Sequence, residues 1–214
     1  LSQEGVEGGV FLTKIWAMRR LGEIINRLDL SEDGTFNDYQ VRELVQISKR
    51  YGILTPYTTF LTLVSQSLDN EDELVEKTKQ NLQNLKKIVG QEANWQRQYK
   101  RTLAAAAALE PTGPSGLSSQ DDLKQLAKLD LNVSNLEELK VPIDLADKTF
   151  FYKNGYLIDS SLSPSQITNP VKAPLFSEEY FKLGLKLEGL RTSWLAQKEP
   201  IIFKFNGQAY LIEK

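Results

Sequence analysis

Two Asn-Gly dipeptides restrict the fold of this 214-residue chain more than any other feature. Asn154-Gly155 lies between residues 149–152 and 156–158, and Asn206-Gly207 lies between residues 201–205 and 208–212. All four flanking runs are rich in β-branched and aromatic residues, which suit strands. A two-residue hairpin turn needs positive φ at both central positions, and Asn followed by Gly tolerates this best. Each dipeptide therefore predicts a β-hairpin. Between them, residues 164–174 read as a loop. Ser177 then caps a helix from Glu178 to about Ala196, with Tyr180, Phe181, Leu183, Leu187, Leu190 and Trp194 as its apolar positions. Only half a capping box is present, because Tyr180 stands where the Glu would be. Residues 141–214 thus read as a small β2-α-β2 module.

The rest of the chain has a helical period. Residues 1–10 are Gly-rich and are expected to be flexible. From Phe11, apolar residues recur at spacings of three and four (Ile15, Met18, Leu21, Ile24, Ile25, Leu28), with Arg19, Arg20, Glu23 and Arg27 on or beside the other face. Residues 31–35 form a turn by composition. A second helix spans 37–50, with Asn37 or Asp38 as its cap, an inner stripe of Val41, Leu44, Val45, Ile47 and Ser48, and Gly52 as its C-terminal glycine. Residues 53–64 carry strand-forming side chains, and Pro56 confines such a strand to an edge, a bulge or a start. Residues 71–110 predict one long helix, ~60 Å at 1.5 Å per residue. Its stripe is Leu74, Leu82, Leu85, Ile88, Val89, Trp95, Tyr99 and Leu103, and Gly90 marks a break or a close contact. Residues 111–119 hold two Pro, two Gly and three Ser and read as a linker. Residues 120–140 give short helices, one capped by Ser119 and one by Asn132 or Ser134. The expectation is an α+β chain: a helical region over 1–110 with one strand (53–64) and a long helix (71–110), then the linker, the short helices and the β2-α-β2 module.

Composition removes much chemistry. The chain has no Cys and no His. Disulfides, thiol nucleophiles, thiolate or imidazole metal sites and Ser-His-Asp triads are excluded. Carboxylate chemistry, Ser-Lys chemistry and oxygen-ligand metal sites survive. Lys plus Arg is 26 and Asp plus Glu is 28, a net charge of −2, so no global field favours nucleic acid. The run Trp95–Arg101 mixes aromatic and basic residues, but it is short and reads as a solvated helix face rather than a base-stacking platform. No apolar stretch approaches the ~20 residues of a membrane span. The adjacent pairs Asp121-Asp122, Glu137-Glu138 and Glu178-Glu179 point about 100° apart on a helix and fit capping better than a shared acid/base site. Tyr51, Thr55, Tyr57 and Thr58 read either as a ligand-facing strand or as hydroxyls that satisfy nearby backbone, and the second reading is favoured. Asn132-Val133-Ser134 fits a glycan acceptor, which matters only in a eukaryotic secretory context.

Two segments resemble a known family. Residues 14–61 carry Trp16, Ala17, Arg20 and Ile24 or Ile25 in the first helix, then Leu44, Ser48, Tyr51, Gly52, Thr55, Pro56, Tyr57, Thr58 and Phe60. This pattern resembles the segment immediately after the von Willebrand factor type A domain in proteins that carry VIT plus type A domains. Those include the inter-alpha-trypsin inhibitor heavy chains and many bacterial exported proteins. Residues 148–212 resemble, more loosely, the C-terminal module of the bacterial members. Together the two segments cover about half the chain, and residues 70–140 belong to neither. The resemblance implies a C-terminal fragment of an exported or surface-associated protein with no catalytic activity and no cofactor. Its partners would be the parent's own VIT and type A domains, with no nucleic acid and no membrane insertion. The signature residues Trp16, Arg20, Ser48, Tyr51, Gly52, Thr55, Pro56, Tyr57 and Thr58 would be structural.

The family's metal site lies in the type A domain, which this sequence lacks. Residues 159–163 (Asp-Ser-Ser-Leu-Ser) do match its Asp-x-Ser-x-Ser pattern, and their oxygens suit a hard cation. A type A domain, however, needs ~150 residues of alternating strands and helices around that motif, and 51 residues follow Ser163. The motif therefore reads as a hairpin exit, and no metal ligand is assigned. Two alternatives from other classes stand beside the family reading: a carboxylate-dependent hydrolase, and an oligomerisation module built on the helix over 71–110.

Overall fold

The computed structural model describes residues 3–30, 36–86, 94, 96–101, 124, 127, 128, 130, 133–187 and 189–213. It shows a mixed α+β architecture with helices first and a six-stranded sheet after them. Helix α1 spans Gln3–Asp29, so it begins eight residues before Phe11, where the apolar period starts. Ala17, Met18, Leu21, Ile24, Ile25 and Leu28 form its buried face. Helix α2 spans Asp38–Tyr51 and buries Val41, Leu44, Val45, Ile47 and Ser48. The Asn37 side chain accepts from the Tyr39 N–H at 2.9 Å, and Gly52 closes the helix with φ 62°. Arg20 clamps the two helices together. Its Nε and Nη2 donate to the two oxygens of Glu43 at 2.7 and 3.0 Å, a bidentate pair. Arg42 does the same for α2 and α3 by bridging Glu71 and Asp72 at 2.8 Å each.

The expectation of one long helix over 71–110 is corrected. Helix α3 spans Glu71–Leu85, and helical backbone is described again over 96–101. In a straight helix, residues 81 and 100 would lie ~28 Å apart. Yet the Asn81 Nδ2 donates to the Tyr57 carbonyl at 3.1 Å, and the Lys100 Nζ lies 5.4 Å from the centre of the Tyr57 ring. Both stretches therefore pack on the same residue and cannot belong to one straight rod. Ile88, Val89, Gly90, Trp95 and Leu103 lie outside the described residues, as do the linker at 111–119, Ser119 and Asn132. Of the predicted short helices over 120–140, the structure describes helical backbone at Lys124 and Ala127, with the Lys128 N–H donating to the Lys124 carbonyl at 3.2 Å, and a 3-10 turn at Leu136–Glu138.

The strand predicted over 53–64 is also corrected. Residues 53–55 belong to no regular element, residues 56–58 turn, and Thr59–Thr62 is a 3-10 helix. Its sole ladder contact among the described residues is the bridge of Leu63 with Leu139. Every residue from Ile53 to Leu63 is buried. Turn bonds such as Thr58 N–H to the Thr55 carbonyl and Leu61 N–H to the Thr58 carbonyl, both 3.1 Å, and the segment's own hydroxyls take up backbone groups that a ladder would have paired, as set out below.

Both Asn-Gly hairpins form. Strand β2 (Lys148–Lys153) pairs with β3 (Tyr156–Asp159), and β5 (Ile201–Phe205) pairs with β6 (Gln208–Ile212). Asn154 and Asn206 each have φ 48°, and the glycines that follow have φ 87° and 83°. The sheet is larger than the sequence predicts. Short strands β1 (Ile143–Leu145) and β4 (Val171–Lys172) extend it to the order β1-β2-β3-β5-β6-β4, with β3 parallel to β5 and β4 parallel to β6. The predicted loop over 164–174 contains helix α4 (Pro164–Thr168) and β4, and the Ser163 N–H donates to the Gln166 Oε1 at 3.1 Å. The predicted helix over 178–196 divides into α5 (Glu178–Lys186) and a 3-10 segment, Gly189–Trp194. Leu187 is extended and Gly189 has φ 57°, so the chain turns between them.

The sheet has two covered faces. On one, Phe150, Leu157, Ile201, Phe203 and Ile212 pack with Leu183, Leu187 and Trp194. On the other, Leu162, Ile202, Ala209 and Leu211 pack with Ile167 of α4, and Phe151 enters the core of the helical part.

Candidate functional site

The residues of the signature separate into a buried group and an exposed one. The buried group builds the turn after α2. The hydroxyls of Thr55 and Thr58 bond each other at 2.9 Å. Thr58 accepts from the Thr55 N–H at 3.0 Å, and Thr55 accepts from the Tyr57 N–H at 3.2 Å. Thr58 also donates to the Ser48 Oγ of α2 at 3.3 Å, while Thr59 and Thr62 donate to the carbonyls of Thr55 and Thr59 at 3.0 and 2.8 Å. Pro56 supplies no N–H and fixes φ. Hydroxyls thus bond the backbone that a strand would have paired with a neighbour.

Charged and amide groups lock this turn from outside. Asp130 accepts from the Phe60 N–H at 2.8 Å and from the Asn81 Nδ2 at 2.7 Å. The Tyr57 hydroxyl donates to the Asp29 Oδ1 at 3.1 Å, and Lys100 pairs with the Asp29 Oδ2 at 2.6 Å. Burial, then the charge of Asp29, holds the Tyr57 hydroxyl well above the usual tyrosine range. The Tyr99 hydroxyl donates to the Leu54 carbonyl.

Gly52 and Lys153 carry this turn to the sheet. Gly52 faces Thr149 and Pro142. The Ser160 Oγ donates to the Arg50 carbonyl at 3.1 Å. Lys153, only 4 % exposed, donates to the carbonyls of Leu61 and Leu63 at 2.5 Å each. No motif in the sequence assigns a role to Lys153, Asp130 or Asn81. For Lys153 a signal existed in strand parity, since successive side chains alternate faces and Lys153 shares the side of Phe151.

The exposed group centres on Trp16. This side chain is 53 % exposed and meets Tyr51 edge-on at 6.3 Å, and the Arg50 guanidinium lies 5.8 Å from the Tyr51 ring centre. With Leu12, Ile15, Arg19, Arg20 and Glu23, Trp16 lines an open groove of about 650 Å³ along α1. Leu12 is 67 % exposed. The Arg20 guanidinium is committed to Glu43 and to Glu23 at 3.0 Å, and these partners keep its pKa high.

Two further places bear on chemistry. Asp159 of the Asp-x-Ser-x-Ser match is fully buried, and both its oxygens have protein partners. Oδ1 accepts from the Ser161 N–H and Oγ at 2.9 and 2.7 Å, and Oδ2 accepts from the Lys204 N–H at 3.0 Å and from the Lys148 ammonium. The cation at this carboxylate is a lysine. A second, polar cleft of about 440 Å³ is lined by Glu73 of α3 and by Glu138, among others. Glu138 accepts from the Ser65 Oγ at 2.7 Å and from the Asn135 Nδ2 at 3.2 Å. Lys77, 2.7 Å from Glu73, holds the Glu73 carboxyl below the usual range. Glu73 therefore carries a proton less readily than a free glutamate, the opposite of what a general acid at neutral pH needs. Among the described residues no three carboxylates converge as metal ligands, and no helix is long and apolar enough to cross a membrane.

Comparison with protein-family models, with curated proteins and with solved structures finds no match.

Proposed function

We propose that this chain is a non-enzymatic structural and protein-interaction region of a larger exported protein with VIT and von Willebrand factor type A domains, and that it supports the adhesive type A domain. The observation that carries this reading is the division of the signature. Thr55, Pro56, Tyr57, Thr58, Ser48 and Gly52 are consumed in building a rigid buried turn, whereas Trp16 stands uncovered on α1 beside Leu12. A half-exposed tryptophan that the chain's own fold leaves open suits a contact with a neighbouring domain, since Trp is enriched at the centres of interfaces. The extracellular or cell-envelope setting follows from the same resemblance. The hydrolase alternative needs a carboxyl raised toward neutral pH, and Glu73 is shifted the other way. The oligomerisation alternative needs one long helix, and α3 ends at Leu85.

The test is binding of this chain to separately prepared VIT and type A domains of the parent, followed by calorimetry. Binding is expected, weakened at least tenfold by Trp16→Ala. That substitution is expected to cost about 1 kcal/mol of folding stability or less, because half the side chain is already in water. Absence of binding in every combination counts against the proposal, as does equal binding by Trp16→Ala.

A further inference from the structure

We propose that the outward face of α1 docks a second copy of this chain, antiparallel, about a two-fold axis level with residue 21. Leu12 and Leu30 are 67 % and 78 % exposed at the two ends of this face, and Arg19 and Glu23 are exposed between them. Helix α1 ends at Asp29, but the Leu30 N–H donates to the Asn26 carbonyl at 3.2 Å, so Leu30 still follows the helical turn. At 3.6 residues per turn these four side chains project within about 40° of one another, opposite the buried Leu21. They form a seam about 27 Å long.

Charge and register choose the occupant. In an antiparallel pair centred on residue 21, Arg19 of each copy lies level with Glu23 of the other. Leu12 of each copy lies level with Leu30 of the other. One face thus supplies both halves of two ion pairs and of two apolar contacts, the self-complementarity that a two-fold interface requires. A parallel pair would set Arg19 against Arg19 and Glu23 against Glu23, which like-charge repulsion opposes. Both charges are open to a partner. Arg19 pairs with no carboxylate among the described residues. Glu23 gives Oε2 to Arg20 at 3.0 Å and leaves Oε1 open among the described residues.

The flank of the seam agrees with this register. Trp16 and Arg27 stand on the same flank, about 20° apart in projection. The antiparallel pair brings Trp16 of one copy within one residue step of Arg27 of the other. A guanidinium then lies at the half-exposed indole, where the ring face attracts a cation. A contact of one helix per copy is small and its ion pairs are exposed, so the dimer is weak and its charges set register more than affinity. A neighbouring domain seated on Trp16 and a second copy on the same face exclude one another. The tests therefore use this chain alone, and their failure leaves the domain contact standing.

The absence of Cys makes disulfide cross-linking the direct test. Leu12→Cys and Leu30→Cys alter exposed side chains and leave the fold intact. Under mild oxidation, a mixture of the two variants should give a covalent dimer that joins position 12 to position 30. Either variant alone should give little, because like positions lie about 27 Å apart in the antiparallel pair, beyond the reach of a disulfide. Equal yield from one variant alone, or no covalent dimer from the mixture, overturns the proposal. In sedimentation equilibrium the unsubstituted chain should show a monomer–dimer equilibrium. Arg19→Glu and Glu23→Arg should each weaken it about tenfold or more. The two substitutions in one chain exchange the charges and should restore it, and Arg20 keeps its bond to Glu43 throughout. A chain that stays monomeric at about 1 mM overturns the proposal, as does a doubly substituted chain no better paired than the singles.

Discussion

Gly52→Ala is expected to lower the unfolding free energy by about 3 kcal/mol, read from urea denaturation. Two costs combine. Gly52 has φ 62°, a left-handed conformation that costs a residue with a Cβ about 1–2 kcal/mol. A methyl group at this position would also lie 2.6 Å from the Thr149 Cγ2 and 3.3 Å from the Pro142 Cβ. The Thr149 side chain cannot swing away freely, because its Oγ1 donates to the Asp144 Oδ1 at 2.8 Å, and Asp144 in turn pairs with Lys14 of α1. A second substitution separates the two costs. Gly52→Ala combined with Thr149→Ser keeps the hydroxyl and removes the obstructing methyl. The pair should recover the crowding part and leave the backbone part. If Gly52→Ala changes stability by less than about 0.5 kcal/mol, the close packing of α2 against the sheet is wrong.

Asp130→Ala is expected to cost about 3 kcal/mol or more, because it strands two donors at once. The Phe60 N–H and the Asn81 amide both point at this carboxylate, which is 4 % exposed, and neither position opens to water. Asp130→Asn should cost about 1–3 kcal/mol despite its shape, because either orientation of the amide sets an NH2 group against a donor. Asn81→Ala removes a partner of the same carboxylate. The double substitution should therefore cost less than the sum of the two singles by about 1 kcal/mol in a double-mutant cycle. Strict additivity would mean that the two groups do not share the network.

Much of this fold was legible from local chemistry. The Asn-Gly turns announced both hairpins because only a few residues tolerate successive positive φ values. The inner stripe of α2 was readable because its period of 3.6 matched one covered face. Residues 53–64 misled because strand propensity reports side-chain shape and says nothing of what the backbone pairs with. There the four threonines at 55, 58, 59 and 62 supplied hydrogen bonds within the turn itself. The long helix misled for a related reason. A sustained apolar stripe shows that one face is covered, but it does not show that a helix continues, and Tyr57 receives both Asn81 and Lys100. Strands β1 and β4, of three and two residues, carry too few side chains to show a period.

The candidate site was half legible. The signature drew attention to Trp16 and to the Thr-Pro-Tyr-Thr turn, but no sequence pattern tells a buried signature residue from an exposed one. Burial is a property of the assembled core, and so is the position of Lys153.

The most direct test of the proposed function is the sequence of the native polypeptide on the N-terminal side of Leu1, read by peptide mapping of the protein isolated from its source. The proposal predicts a von Willebrand factor type A domain that runs into the helix Gln3–Asp29. A native chain that starts at Leu1, or one in which an unrelated domain precedes it, would contradict the proposal.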